Sequence, residues 1–301
     1  MICAIIGSTK IAEVHVNEFV KNSVKHIYII SRNKKKRDDL KTKFCNRYKN
    51  LNTNFYSSDK NILKKINFDL IVICSKNNAH HKNFEFLKEF KNIIIVEKPI
   101  ISLLVFKNNY KKYLDKIYEN KKKIIVCYPM QYFASSFKKH FKEFTRPKKL
   151  EFIMKTKGRY NNKDIIVNLM PHALTFINEF YNLKNNIHSF EKKNISNNSY
   201  NFNFKIKNSL IYVHLSENRE RKKTKILFKL DNNIFDRVTK KGIVNFQTYL
   251  KINEKLHIVP NPMTLFYKDF FKNYKNTSFF SRNKKFTYRI MRENFRILNM
   301  I

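Results

Sequence analysis

The stretch FDLIVICSKNNAHHKNFEFLKEFKNIIIVEKP, residues 68–99, constrains the fold of this chain more than any other. Leu70–Cys74 and Ile93–Val96 are short, continuous apolar runs rich in β-branched residues, and each stops abruptly at polar residues. Between them Phe84, Leu87 and Phe90 recur at helical spacing among charges. A helix flanked by two strands that lack polar alternation implies parallel strands covered on both faces. In such sheets the ligand sits beyond the carboxyl ends of the strands. Those ends carry Ser75, Asn77 and His80 after the first strand and Glu97-Lys98-Pro99 after the second. A chemical site is expected there.

The chain opens with a buried strand, Ile2–Ile6, followed by Gly7-Ser8-Thr9-Lys10-Ile11-Ala12 and a helix. Strand, tight turn and helix is the context in which a phosphate-binding loop has meaning. Gly7 permits the turn, and Ala12 is small enough for helix–strand packing. The middle position, where glycine lets a pyrophosphate approach the backbone, is Thr9. An ordinary strand–helix turn fits this loop equally well. A second strand, Ile27–Ile30, ends at Ser31-Arg32-Asn33. A carboxylate there would favour ribose hydroxyls, whereas a hydroxyl and a guanidinium suit the extra phosphate of NADP. The run Lys34–Arg37 reads as a solvated helix start, and Leu40, Phe44 and Tyr48 as the inner face of that helix.

Further along, helices are expected at Asp59–Ile66 and Ser102–Asn120, a strand at Lys123–Tyr128 and a helix at Ser135–Phe144. After Lys149 the pattern changes. Leu150–Thr156, Phe202–Lys207, Leu210–Leu215 and Thr224–Leu230 are strand-like with short polar turns, which suggests an antiparallel sheet. A helix at Ile166–Tyr181 places Asn168 and His172 on one face. Asn261-Pro262 is a helix start, with Phe266, Phe270 and Tyr274 as its core face, and a last helix spans about 285–298. The expected fold is α/β: a doubly wound parallel sheet in residues 1–122, then an α+β domain with a mainly antiparallel sheet in residues 123–301.

The formal net charge is +39, which would suit a polyanion partner. Lysine is spread through every segment, however, and Asn, Ile and Phe are abundant while Gly and Pro are scarce and Trp is absent. That composition follows A/T-rich codons, so no specific nucleic-acid partner is expected. Cys3, Cys45, Cys74 and Cys127 have neither metal-ligand nor redox spacing and read as reduced thiols, with no metal implied. No segment has the length of a membrane span, and the first apolar run lacks the features of a signal peptide. A cytoplasmic protein is expected.

Taken in order, GSTKIAEVH, the SR pair at Ser31-Arg32, CSKNNAH with His80, VEKPI, CYPMQYF and NLMPHALTF resemble successive motifs of the Gfo/Idh/MocA oxidoreductase family. The resemblance covers nearly the whole chain and is strongest over residues 1–100. It implies a Rossmann domain that holds NADP, with NAD as the alternative, through Gly7, Ser8, Thr9, Lys10, Ile11, Ser31, Arg32, Ser75, Asn77, His80, Glu97 and Lys98. It implies hydride transfer to or from a sugar, nucleotide sugar or polyol, with Lys98, His172 and Asn168 as catalytic residues, and a homo-oligomer. The chemistry is coherent, because hydride transfer to a carbonyl leaves an alkoxide. A lysine ammonium can stabilise that charge, and a histidine can exchange the proton near neutrality.

The departures from the pattern are Thr9 for glycine, Lys76 for a turn proline, Gln131 for an arginine, Asn168 for an aspartate and Thr175 for an acidic residue. Asn168 can orient a hydroxyl but cannot shuttle a proton. They leave open a non-sugar carbonyl or imine reductase resembling biliverdin reductase, or a cofactor-binding protein with little turnover.

Overall fold

The computed structural model describes residues 1–301 except 49–50, 57–60, 88–89, 101–111, 113–114, 116–122, 145, 159, 161, 185–186 and 242–245, and except the side chains at 77, 78, 84, 194, 195, 241 and 246. The helix expected over Ser102–Asn120 lies outside the described residues except at 112 and 115, both helical.

Six parallel strands form the first sheet: β1 (Ile2–Ile6), β2 (His26–Ile30), β3 (Asn52–Tyr56), β4 (Leu70–Ile73), β5 (Ile93–Glu97) and β6 (Ile124–Cys127), in the order β3-β2-β1-β4-β5-β6. The helices of this part are α1 (Lys10–Lys21), α2 (Lys34–Arg47), α3 (Ile62–Lys65) and α4 (Asn77–Leu87). The four central strands are buried almost throughout, which is why β4 and β5 read as unbroken apolar runs. The order reverses between β1 and β4, and the carboxyl ends of those two strands therefore open the crevice where ligands bind in such sheets. β3 was not foreseen. Its sequence NTNFY is half-exposed at the edge of the sheet and carries no hydrophobic run.

The chain divides into two compact units. β6 pairs with β5 as the sixth strand, so the first unit continues to Cys127 and does not stop at residue 122. It also takes in Tyr267–Thr287. The ring of Tyr267 is fully buried and meets Phe19 of α1 edge-on at 5.3 Å.

The second unit, mainly Tyr128–Phe266, holds an eight-stranded sheet. Its strands are β7 (Lys149–Thr156), β8 (Ile187–Ser196), β9 (Ser199–Ile206), β10 (Ser209–Glu217), β11 (Lys225–Leu230), β12 (Asn233–Lys241), β13 (Phe246–Ile252) and β14 (Lys255–Val259). The order is β14-β13-β12-β11-β7-β10-β9-β8, with only β7 and β10 parallel. α5 (Pro129–His140) and α6 (Lys163–Tyr181) supply Phe133, Phe137 and Phe176, which pack with Phe228 and Phe235 into an aromatic core. α5 begins at Pro129, six residues before the helix expected there, because proline is well suited to a first helical position. The final helices are α7 (Pro262–Asn273), capped by Asn261, and α8 (Thr277–Met300). No helix among the described residues is long and apolar enough to cross a membrane.

Candidate active site

In the first unit a cavity of about 740 Å³ lies beyond the carboxyl ends of β1, β2 and β4. Gly7 forms its floor. Its φ is +132°, and an added Cβ would lie 2.7 Å from the carbonyl oxygen of Cys74. Both the left-handed backbone and the contact with β4 therefore demand glycine. Thr9 precedes α1, yet its hydroxyl donates to Cys74 O at 3.0 Å and makes no cap to its own helix. The first N–H groups of α1 are thus not claimed by a side-chain cap, and a helix start of that kind favours an anionic oxygen. Thr9 is held against β4 while still lining the cavity.

Ser8 and Ser31 hydroxyls meet at 2.6 Å and tie the ends of β1 and β2 together. Arg37 donates to the carbonyl of Ser31, and Asn33 caps α2 by accepting from Lys36 N at 2.9 Å. Four cations, Arg32, Lys36, Lys76 and Lys82, line the cavity, and its described walls contain no carboxylate. Such a wall attracts polyanions and offers nothing to repel a phosphate.

Across the cavity, Asn83 donates to the hydroxyl of Ser75 at 2.8 Å. His80 is buried behind this turn, with Nε2 2.7 Å from Ser75 O and Nδ1 2.7 Å from Pro99 O. It ties the turn after β4 to the one after β5. Burial, opposed by both backbone contacts, holds its pKa below the usual histidine value. Glu97 is buried at the end of β5, where His15 Nε2 reaches its Oε1 at 3.1 Å. His15 Nδ1 in turn lies 2.5 Å from the hydroxyl of Tyr267. Burial raises the Glu97 pKa, but the hydrogen bond and charge of His15, with Lys98 and the Cys127 thiol, outweigh it and hold the carboxyl below its usual range. Lys98 follows, half-exposed, in a cis peptide with Pro99.

The structure thus gathers Gly7, Ser8, Thr9, Ser31, Arg32 and Ser75 at one cavity. Lys10 and Ile11 open α1 but are not among the cavity walls. Neither are His80, Glu97 and Lys98, which stand behind or beside it. Asn77 begins α4, and its side chain is outside the described set. Sequence reasoning named Asn33 at the end of β2 without a role, took Lys36 for part of a solvated helix start, and missed Lys82 and Asn83. In so lysine-rich a chain, nothing distinguishes Lys36 or Lys82 from surface lysines until the fold brings them to one rim.

Residues 1–128 match the model of the oxidoreductase family with an NAD-binding Rossmann fold, Gfo/Idh/MocA. That stretch has the NAD-binding Rossmann fold that the family model describes. Among curated proteins none matches the sequence. Solved structures share the fold. A Gfo/Idh/MocA family oxidoreductase from Vibrio cholerae is 13% identical with a TM-score of 0.65, over 99% of this chain and 97% of that one. UDP-N-acetylglucosamine 3-dehydrogenase from Acidithiobacillus ferrooxidans is 10% identical with a TM-score of 0.65, over 98% and 96%. An oxidoreductase from Agrobacterium radiobacter, solved with NAD+, L-tartaric acid and magnesium, is 13% identical with a TM-score of 0.60, over 96% and 92%.

In the second unit, α6 is buried continuously from Ile165 to Ile177 except at Asn168 and His172. These two half-exposed polar side chains, one turn apart, are the only breaks in that buried run. Thr175 donates to the carbonyl of His172 at 3.1 Å. Asn168 Nδ2 donates to Glu217 Oε1 at 2.8 Å, and Glu217 Oε2 accepts from Tyr160 N at 3.0 Å. Glu217 ends β10 and is 3% exposed. No sequence signal marked it, because at the end of its strand nothing separates it from an ordinary surface glutamate. Among the described residues no group of three His, Cys, Asp or Glu side chains could hold a metal ion.

Proposed function

We propose that this oxidoreductase prefers NADP and acts on a sugar, nucleotide sugar or polyol. The observation that carries the cofactor reading is the cavity wall of Arg32, Lys36, Lys76 and Lys82, free of carboxylates at the end of β2. A carboxylate there would select ribose hydroxyls, whereas a guanidinium pairs with phosphate. The nicotinamide ring, when bound, supplies or accepts the hydride.

Gly7, Ser8, Thr9, Lys10 and Ile11 hold the pyrophosphate. Ser31 and Arg32 take the ribose phosphate, and Ser75, Asn77, His80 and Glu97 shape the nicotinamide side. Lys98 places an ammonium where the alkoxide charge develops, His172 exchanges the proton, and Asn168 orients a substrate hydroxyl.

The test is a titration of the protein with NADPH and with NADH, followed by nicotinamide fluorescence. NADPH binds more tightly, and Arg32→Ala removes a charge-assisted contact of about 1.5–3 kcal/mol, weakening NADPH at least about tenfold while changing NADH little. Equal affinities in wild type and no effect of the variant would refute the preference. A substrate screen follows, with Lys98→Ala as the inactive control. Turnover of non-sugar ketones or imines alone would displace the sugar reading.

A further inference from the structure

The second unit holds a guanidinium on β12 with no counter-ion among the described residues. We infer that Arg237 is a binding residue for an oxyanion, a carboxylate or phosphate group, carried by the substrate. This inference rests on the reading of the protein as an oxidoreductase of hydroxylated substrates, and narrows those substrates to acidic ones.

Arg237 lies on the sheet face that α5 and α6 cover, opposite Ile226 of β11 and Leu250 of β13. Its Cζ stands 5.2 Å from the centre of the Phe133 ring, and Nη1 donates to Met130 Sδ at 3.4 Å. Nε is buried without a hydrogen-bond partner. Asp236, next in the chain, faces the other side of the sheet. No carboxylate among the described residues pairs with Arg237, and none of this unit's undescribed residues is acidic. Burial alone acts on the group and pushes its pKa down to about 10, so the cation persists at neutral pH.

An apolar side chain would suit this place better. Ile226, Leu250, Met130 and Phe133 are all buried, and exchanging a buried ion for a hydrophobic group is commonly neutral or stabilising. Stacking on Phe133 and a weakly accepting sulfur offset only part of the desolvation. An oxyanion offsets the rest, because it forms charge-assisted, two-pronged hydrogen bonds that outcompete a thioether.

Two further features converge on the same spot. α5 starts without a side-chain cap and Met130 is in its first turn, so the positive end of that helix adds to the guanidinium. Thr248 of β13 is fully buried with Oγ1 unpartnered. It pairs with Thr239, two residues beyond Arg237, and is therefore the diagonal neighbour of Arg237 on the same face. Through β11 and β7 the register aligns Arg237 with Leu215 of β10, two residues before Glu217. Arg237 thus lies three strands from the bonded pair of Asn168 and Glu217, at the same end of the sheet. The acidic end and the hydroxyl end of one substrate can be held on that one face.

The test uses the full-length protein in about 0.15 M salt and two matched pairs of probes, titrated calorimetrically with and without NADP+. The pairs are D-gluconate with D-glucitol, and D-glucose 6-phosphate with D-glucose. Wild type binds the acidic member of at least one pair about tenfold or more tightly than the neutral member. Arg237→Met weakens that acidic member about tenfold or more and shifts the neutral one less than about twofold. Removing one of 62 basic residues scarcely alters the general field, so the loss reports the site and not the net charge. The ligand-free variant has a higher thermal midpoint, because an uncompensated ion is gone. If Arg237→Met does not fold, Arg237→Lys, which keeps the charge but loses the stack and the fork, gives the same selective weakening.

Wild type with no preference for either acid, or a preference that survives in the variants, would overturn the inference and leave Arg237 a structural strut on Phe133. Acid recognition through Arg237 in a protein that binds no NADP+ would keep the inferred site and overturn the oxidoreductase reading. NADP+ binding without acid recognition would do the reverse.

Discussion

His80 shows what a single buried imidazole does to the pH response. The ring sits between two carbonyl oxygens, both at 2.7 Å, in a place where burial disfavours the charged form. Its native pKa is below the ordinary 6.5, so the unfolded chain takes up the proton first. Stability is then fully present above that ordinary value and is lost as pH falls from it toward the native one. Glu97, whose carboxyl is held below its ordinary 4.5, contributes in the same direction but in a lower window. Its stabilisation is present above 4.5 and lost as pH falls through the native pKa. Urea midpoints measured between about pH 7 and about pH 5.5 should therefore decline with acid, and His80→Gln should flatten the decline. A slope untouched by that variant would show that another group carries it.

At the scale of elements, the hairpin between β13 and β14 turns through Asn253 and Glu254, with φ of 45° and 66°. Two successive left-handed residues are the requirement of the tight hairpin turn in which Asn-Gly is favoured. Glutamate in that conformation is strained, and its contact with Lys251 is a surface pair of little weight. Glu254→Gly should stabilise the second unit by up to about 1 kcal/mol, read as a higher denaturation midpoint. A lower midpoint would mean that the loss of glycine's entropy outweighs the relief. The same hairpin explains what was legible beforehand. β1, β2, β4 and β5 were readable because burial on both faces leaves no room for polar residues. β8, β12 and β14 escaped, since strands such as IHSFEKKNIS and NIFDRVTKK mix charges among their apolar residues. The candidate site divides in the same way. Gly7, Ser31 and Lys98 follow strand ends that any parallel sheet exposes. Lys36, Lys82 and Glu217 acquire meaning only from neighbours distant in sequence, and a chain with 62 basic residues conceals two more.

For the molecule as a whole, the first unit is discontinuous. Residues 1–128 carry the family match, but the unit also contains Tyr267–Thr287. Tyr267 bonds His15, and its ring and that of Phe271 lie edge-on to Phe19. A fragment of residues 1–128 alone would leave the buried His15 without that hydroxyl and Phe19 without its aromatic cover. Such a fragment should unfold without a cooperative transition in calorimetry and bind NADPH more weakly than the full chain. A sharp transition and full affinity would show that the returning segment is dispensable.

That return also sets an order of events during synthesis. The strands of the first sheet emerge early, yet the tyrosine that closes over α1 is made only after the whole of the second sheet. Until then the growing chain presents a dinucleotide fold with an open seam, a candidate for chaperone attention. A ribosome stalled anywhere between Cys127 and Tyr267 would display strands without a finished domain. The dinucleotide fold at the front of the chain is thus completed from its back.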